Sequence, residues 1–233
     1  MKKTVDQGGM EIRKAGLTGL LCRLGNTIDE ATGDRVAAFA EAVRQRSLPG
    51  VTDLIPGYAT LLVQYDPLRT DAVALTETLR SLLQEKRNSI SGSRLIEIPV
   101  CYGGAYGPDL PYVSAYSAMT AEEVIRLHSG REYRIFMLGF LPGFPYLGGL
   151  DERLHIPRLE TPRVRIPAGS VGIGGSQTGI YPLDSPGGWR LIGRTPMRLF
   201  APDGKVPFRA GDRIRFRPIT PEEFEKTEGE HGV

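Results

Sequence analysis

Two arginines that directly follow prolines, Arg158 and Arg163 in "LHIPRLETPRVRIPAG" (154–169), are where the chain first offers chemistry. Proline fixes φ, so the backbone is held while the long side chain extends. A guanidinium is a planar fork of donors that matches a carboxylate or phosphate. Arg163 and Arg165 alternate along one strand face, where an arginine is commonly just solvated, and both readings stand for each. His155 can give or take a proton near neutral pH, or it can serve as a structural hydrogen-bonder. The Gly-rich stretch "AGSVGIGGSQTGIYP" (168–182) offers two readings. Its backbone N–H groups can form a nest for an anion, or its glycines can mark tight turns where backbones approach closely. It lacks the Lys-Ser/Thr ending of a P-loop, and no helical pattern follows it. Trp189, in "SPGGWRLIGRTP" (185–196), is the single tryptophan; it either stacks on a ligand or plugs a core.

A stiff loop accompanies these residues. "GFLPGFPYLGGL" (139–150) spends six of twelve positions on Gly or Pro and sets Phe140, Phe144 and Tyr146 between them. Such a loop either plugs a core or lines a pocket. Ser170 and Ser176 have no evident base partner and no G-x-S-x-G elbow occurs, so covalent serine catalysis is not indicated. Carboxylates are sparse: Asp151, Glu152, Glu160 and Asp184 are the only ones between 139 and 196. A groove with Arg, Gln, Tyr and backbone donors but few acids favours an anionic ligand.

Several function classes are excluded on composition. The 233 residues carry a net charge of +2 and no Lys/Arg run longer than a pair, so non-specific nucleic-acid binding has no support. No apolar h-region follows the N-terminal lysines, and no stretch approaches the ~18 apolar residues of a membrane span. Cys22 and Cys101 are too few for a disulfide framework and are expected as buried thiols in a reducing cytoplasm. The three histidines, at 128, 155 and 231, form no cluster with metal-ligand spacing, so no metal site is expected.

These residues need elements to position them. A strand at 16–24, a helix with Asn26, Thr27 and Asp29 as candidate caps and running to about Ser47, a hairpin around Pro56-Gly57, a helix over 70–86 and a strand at 95–100 follow one another. That order, β-α-β-β-α-β, matches a ferredoxin-like split unit with both helices on one face of an antiparallel sheet. After residue 100 one helix is expected, at 120–130, with Thr120 as cap. A strand over 132–138 and a last strand in "GDRIRFRP" (211–218) bracket a region that is about one-third Gly or Pro yet keeps its apolar residues. Short strands closing as a barrel or sandwich fit it. The fold class is α+β, with domains at 1–94 and 95–220 and a flexible tail at 221–233.

Five segments in order, "EIPVCYGGAYGPDL", "GFLPGFPYLGGL", the two Pro-Arg pairs, "PAGSVGIGGSQTGIYP" and "SPGGWRLIGRTP", carry a resemblance over about residues 10–218. The chain resembles the family named variously as allophanate hydrolase subunit 1, the B-type subunit of 5-oxoprolinase and sporulation-kinase inhibitor, whose members carry carboxyltransferase subdomains C and D. The resemblance implies a ferredoxin-like domain followed by a cyclophilin-like β-barrel. It implies a sister subunit, of the 5-oxoprolinase C type or the allophanate hydrolase subunit 2 type, whose barrel completes the site. It also implies a 5-oxoprolinase A-type protein. The implied reaction opens 5-oxo-L-proline to L-glutamate with ATP hydrolysis, the nucleotide shared with or owned by partners and the isolated chain inactive. Two alternatives accompany it: an inhibitor that docks on a sensor histidine kinase, and a carboxyltransferase half in urea degradation that takes biotin from another chain.

By the same resemblance, His155, Arg158 and Arg163 are the expected catalytic residues. Phe140, Pro142, Phe144, Ser170, Gln177, Tyr181, Trp189 and Arg194 are expected to bind substrate around one groove. Arg158, Arg163 and Arg194 should converge there, with Phe140 and Phe144 as walls. Replacing Phe144 by Ala is then expected to abolish complex activity while leaving melting nearly intact.

Overall fold

The computed structural model describes residues 11–27, 29–84, 93–201 and 203–230. The chain falls into two compact units that meet between Ser93 and Arg94.

The first unit runs β1 (Glu11–Lys14), β2 (Gly19–Arg23), α1 (Glu30–Arg46), β3 (Val51–Pro56), β4 (Thr60–Tyr65) and α2 (Ala72–Gln84). Asp29 caps α1 by accepting from the Thr32 N–H at 2.7 Å, and Ser47 ends it in the left-handed region. Asp71 accepts from the Val73 and Ala74 N–H groups to start α2. The sheet order is β1-β2-β4-β3, antiparallel throughout. Leu20 and Cys22 of β2 stand opposite Val63 and Leu61 of β4. Alternation along a strand puts these four on one face. There they share a core with Val36, Phe39 and Val43 of α1 and Leu75 and Leu79 of α2, so both helices cover the same side.

One part of the expected β-α-β-β-α-β unit is overturned. Its sixth element, 95–100, does not join this sheet; the fourth strand is β1, which precedes the first expected strand. "EIRK" is four residues with three charges, too short and polar to show period-two alternation. The last two positions of the helix expected over 70–86 lie outside the described residues.

The second unit holds β5 (Leu95–Tyr102), α3 (Leu110–Ser117), α4 (Ala121–Ser129), β6 (Glu132–Leu138), β7 (Pro145–Gly148), β8 (Arg163–Ile166), β9 (Ser170–Gly174), β10 (Gln177–Ile180), β11 (Ser185–Gly187), β12 (Arg190–Arg194), β13 (Arg213–Ile219) and α5 (Pro221–Glu230). A short 3₁₀ turn covers Glu152–Leu154. Seven strands close a barrel in the order β10-β7-β6-β13-β5-β12-β9, and β9 returns to β10. β5 and β13 pair in parallel over seven residues, which draws 95–102 into the barrel. β8 and β11 form a separate two-stranded ribbon. Ile98, Tyr133, Ile135, Ile173, Ile214 and Phe216 fill the interior.

His128 of α4 is buried in the barrel core. Its Nδ1 lies 2.8 Å from the Tyr102 hydroxyl and its Nε2 2.8 Å from Thr178 Oγ1. Thr178 Oγ1 donates its own proton to Gly172 O at 3.0 Å, so it accepts from His128 Nε2–H, and Nδ1 accepts from Tyr102. Burial among these groups pushes the imidazole down to about 3, with the Arg131 charge adding to the effect.

Two helices depart from expectation. α3 is unforeseen because only Leu110 and Val113 of it are buried, too few for a helical stripe. The stretch 221–230, expected as part of a flexible tail, is α5; residues 231–233 of that tail lie outside the described residues. Thr220 and Glu223 cap α5 reciprocally, and Phe224 is buried against Tyr106 at 4.4 Å between ring centres.

Candidate functional site

A second, smaller core of the barrel unit gathers Phe144, Ile166, Tyr181, Trp189 and Leu191, with Leu141 and Tyr146 against it. Three segments build it. The 139–144 loop closes on itself through Gly139 N–H to Phe144 O at 3.1 Å and Phe144 N–H to Leu141 O at 3.0 Å. Phe140 sits in this loop at φ +66°, a conformation that costs an L-residue roughly 1–2 kcal/mol. Its ring is 61% exposed and stands edge-on to Phe144 and Tyr181. Pro142, at the loop tip, is exposed.

The expectation that Phe144 walls a groove is corrected. Its ring is 2% exposed and meets Tyr146, Tyr181 and Trp189 at 4.9–5.5 Å. Only Phe140 of the pair forms rim. Trp189 is also a core ring, 5% exposed, so it does not present an open face for stacking. Of the two readings of the Gly-rich stretch, close approach is the one realised. A Cβ on Gly174 would lie 2.6–2.8 Å from atoms of the Trp189 indole, and one on Gly179 3.0 Å from both Phe144 and Trp189. Gly175 makes the β9–β10 turn at φ +65°. Ser170 is buried and spends its hydroxyl on Pro167 O at 2.7 Å, while Gln177 is half-buried at the start of β10.

Two of the three arginines meet at this cluster. The Arg158 guanidinium lies 5.6 Å from the Trp189 ring centre and its side chain is exposed. Its backbone is placed by Leu159 N–H to Gly188 O at 2.7 Å and by the Ile156–Gly175 bridge. Arg163 donates from Nη2 to Asp109 Oδ1 at 2.8 Å. Its Nη1 is buried and, among the described residues, has no acceptor. The Tyr181 phenol is pushed up by burial, and the Trp189 backbone N–H and the charges of Arg158 and Arg163 oppose that rise. Burial likewise raises Tyr146, against the pull of Arg158. Both phenols therefore stay protonated at neutral pH and can donate.

Arg194 does not join them. Its Nε donates to Ala168 O at 2.8 Å, its guanidinium lies 5.6 Å from the Phe224 ring centre, and Nη2 reaches Glu228 of α5 at 3.5 Å. The helix that sequence reasoning missed covers this residue. His155 is half-buried, and its ring is 3.4 Å from Leu150 O, the arrangement of a structural hydrogen-bonder.

Sequence reasoning also missed Asp109, because its partner lies 54 residues away and its local position reads as an ordinary helix cap. The result is a buried aromatic base, two guanidiniums and two protonated phenols, with one carboxylate already committed to Arg163. Such a set can hold a carboxylate or stabilise an oxyanion. Among the described residues no group of three or more His, Cys, Asp or Glu could hold a metal ion, and no helix is long and apolar enough to cross a membrane.

The profile of the family described as carboxyltransferase domain, subdomain C and D, matches residues 10–210. The chain is 40% identical over 227 residues to the B-type subunit of 5-oxoprolinase from Bacillus subtilis, covering 92% of this chain and 95% of that one. It is 44% identical over 205 residues to the B-type subunit of 5-oxoprolinase from Escherichia coli O157:H7, covering 87% and 93%. The crystal structure of TTHA0988 superposes with a TM-score of 0.77 at 39% identity; it covers 86% of this chain, which spans only 40% of that longer one. With a profile that spans most of the sequence and near full-length relatives at this identity, the chain belongs to the carboxyltransferase domain, subdomain C and D, family.

Proposed function

We propose that this chain is the B-type subunit of an ATP-dependent 5-oxoprolinase, which opens 5-oxo-L-proline to L-glutamate together with partner subunits. The observation that carries the reading is 40% and 44% identity, over nearly the whole length of each, to two proteins that bear that name. The site supports it chemically. 5-Oxoproline carries a carboxylate beside a lactam carbonyl, and hydrolysis of that lactam builds negative charge on the carbonyl oxygen. Arg158 and Arg163 are suited to the carboxylate or to that developing oxyanion.

Bound ATP would supply the driving force by phosphorylating the lactam oxygen with release of ADP; one water would then add to the carbon and open the C–N bond, and a second would release phosphate. The described residues of this chain offer no P-loop and no metal cluster for the nucleotide, which favours contacts shared with or owned by the partners. Those partners are a sister protein of the 5-oxoprolinase C type and one of the A type, the isolated chain being inactive and the complex cytoplasmic. We class the first unit as ferredoxin-like and the barrel as cyclophilin-like, with the domain limits at 94 and 95.

The test is glutamate release from 5-oxoproline and ATP by the assembled subunits. Arg158→Ala should lower kcat/KM by about tenfold or more, the worth of one charge-assisted contact. A fully assembled complex that yields no glutamate refutes the reading.

A further inference from the structure

Asp109 stands at the N-cap of α3, yet its carboxylate makes no cap bond to that helix. An aspartate there ordinarily accepts from a first-turn N–H. Here Oδ2 accepts from the Leu191 N–H at 2.6 Å, and Oδ1 accepts from Arg163 Nη2 at 2.8 Å. The Asp109 N–H in turn donates to Leu191 O at 2.9 Å, so backbone and side chain both grip one residue of β12. The Asp109 side chain is only 10% exposed. A carboxylate held this way is a fixed post, and α3 goes without its own cap.

Arg163 is the group that leans on the post. It opens β8 in the two-stranded ribbon, and its side chain is 30% exposed. A long, partly solvated side chain on such a ribbon would otherwise sample many rotamers. The guanidinium is planar, so one bond from Nη2 to a rigid acceptor fixes where Nη1 points. That second amine is buried with no acceptor among the described residues, although a buried charged donor is costly to leave unpaired. Folded proteins satisfy most of their buried polar groups. Among the described residues this one is not satisfied, and Arg163 pairs across the ribbon with Gly187, where a Cβ would lie 2.5 Å from the Tyr181 hydroxyl of the ring cluster.

We propose that Asp109 is a positioning residue: it takes one amine of Arg163 so that the other is presented, in a fixed direction, to the carboxylate of the substrate. This rests on the 5-oxoprolinase reading above. Asp109 touches no substrate; it acts through Arg163.

The experiment is a double-variant cycle in the assembled enzyme, with 5-oxoproline varied at saturating ATP. Asp109→Asn keeps the shape of the side chain and an oxygen for the Leu191 N–H, while the charge facing Arg163 is lost. It should raise KM for 5-oxoproline by about tenfold and leave kcat within about twofold. Arg163→Ala should raise KM at least as much, and Asp109→Asn added to Arg163→Ala should change nothing further. Arg163→Lys, which loses the planar fork, should not restore the wild-type KM, whereas a merely structural ion pair would be rescued by it. Multiplied effects in the double variant, or an unchanged KM in Asp109→Asn beside a raised one in Arg163→Ala, overturn the positioning role and leave the site standing. An unchanged KM in Arg163→Ala overturns the site itself, and the role of Asp109 with it.

Discussion

His128 makes the barrel unit acid-sensitive in a way that can be worked out beforehand. The imidazole is neutral and hydrogen-bonded at both nitrogens; burial, with the Arg131 charge adding to it, pushes it down to about 3 from an ordinary value near 6.5. A proton on Nδ1 would turn an acceptor into a donor against the Tyr102 hydroxyl. In the unfolded chain the ring is hydrated and binds a proton below about 6.5. Between 6.5 and 3 the unfolded state therefore holds a proton that the folded state refuses, and stability falls as pH falls through that window. From pH 7 to pH 5 the loss is about 2 kcal/mol, from about 1.4 kcal/mol per pH unit below about 6.5. Trp189, the single tryptophan, lies in the barrel unit, so its fluorescence during urea unfolding reports that unit alone. His128→Gln supplies the control: it cannot titrate, and its carboxamide can still donate to Thr178. Wild type should lose about 2 kcal/mol more than the variant over those two pH units. Parallel loss in both proteins would refute the buried neutral ring.

The two phenylalanines of the loop should separate cleanly. Phe144→Ala removes a buried ring from the Trp189 cluster and should cost about 3–5 kcal/mol, while Phe140→Ala should move stability by less than about 1 kcal/mol; urea midpoints read by fluorescence distinguish them. Phe224→Ala should loosen α5, with proteolysis after Lys226 accelerated and the barrel transition nearly unmoved, since Phe224 anchors the helix through Tyr106 and Arg194.

How far the fold was readable turns on where each element keeps its apolar contacts. α1 carries Val36, Phe39, Ala40 and Val43 at helical spacing and stands where that pattern puts it, with Asp29 the one of three candidate caps that is used. α4 carries a reciprocal Thr120–Glu123 cap and is equally legible. α3 and α5 each rest on one or two buried side chains, and no periodic stripe announces them. The strand at 95–102 shows the other limit. Its alternation marks it as a strand, but its membership depends on "RIRFRPI" more than a hundred residues later, with which it pairs in parallel over seven residues. Local pattern gives the element and leaves the partner open.

The same distinction governs the site. Residue type makes Arg158, Arg163 and Arg194 equal candidates for an anion, and the proline before each of the first two adds only a restrained backbone. What separates the three is the group that reaches each from elsewhere in the chain. Arg194 receives Ala168 O and the α5 helix, so its donors are turned toward those groups rather than the ring cluster. Arg163 receives Asp109, which takes one amine and leaves one. Arg158 lies against the Trp189 ring, and its charge stays exposed. The glycines follow suit. Gly174 and Gly179 read as possible anion donors, yet they are small because the Trp189 and Phe144 rings lie on them. A sequence stretch can announce that an anion site is chemically feasible, but which donors remain free depends on contacts made over long separations. In this barrel the deciding contact is a carboxylate brought from the start of α3 into a segment that is otherwise nearly free of acids.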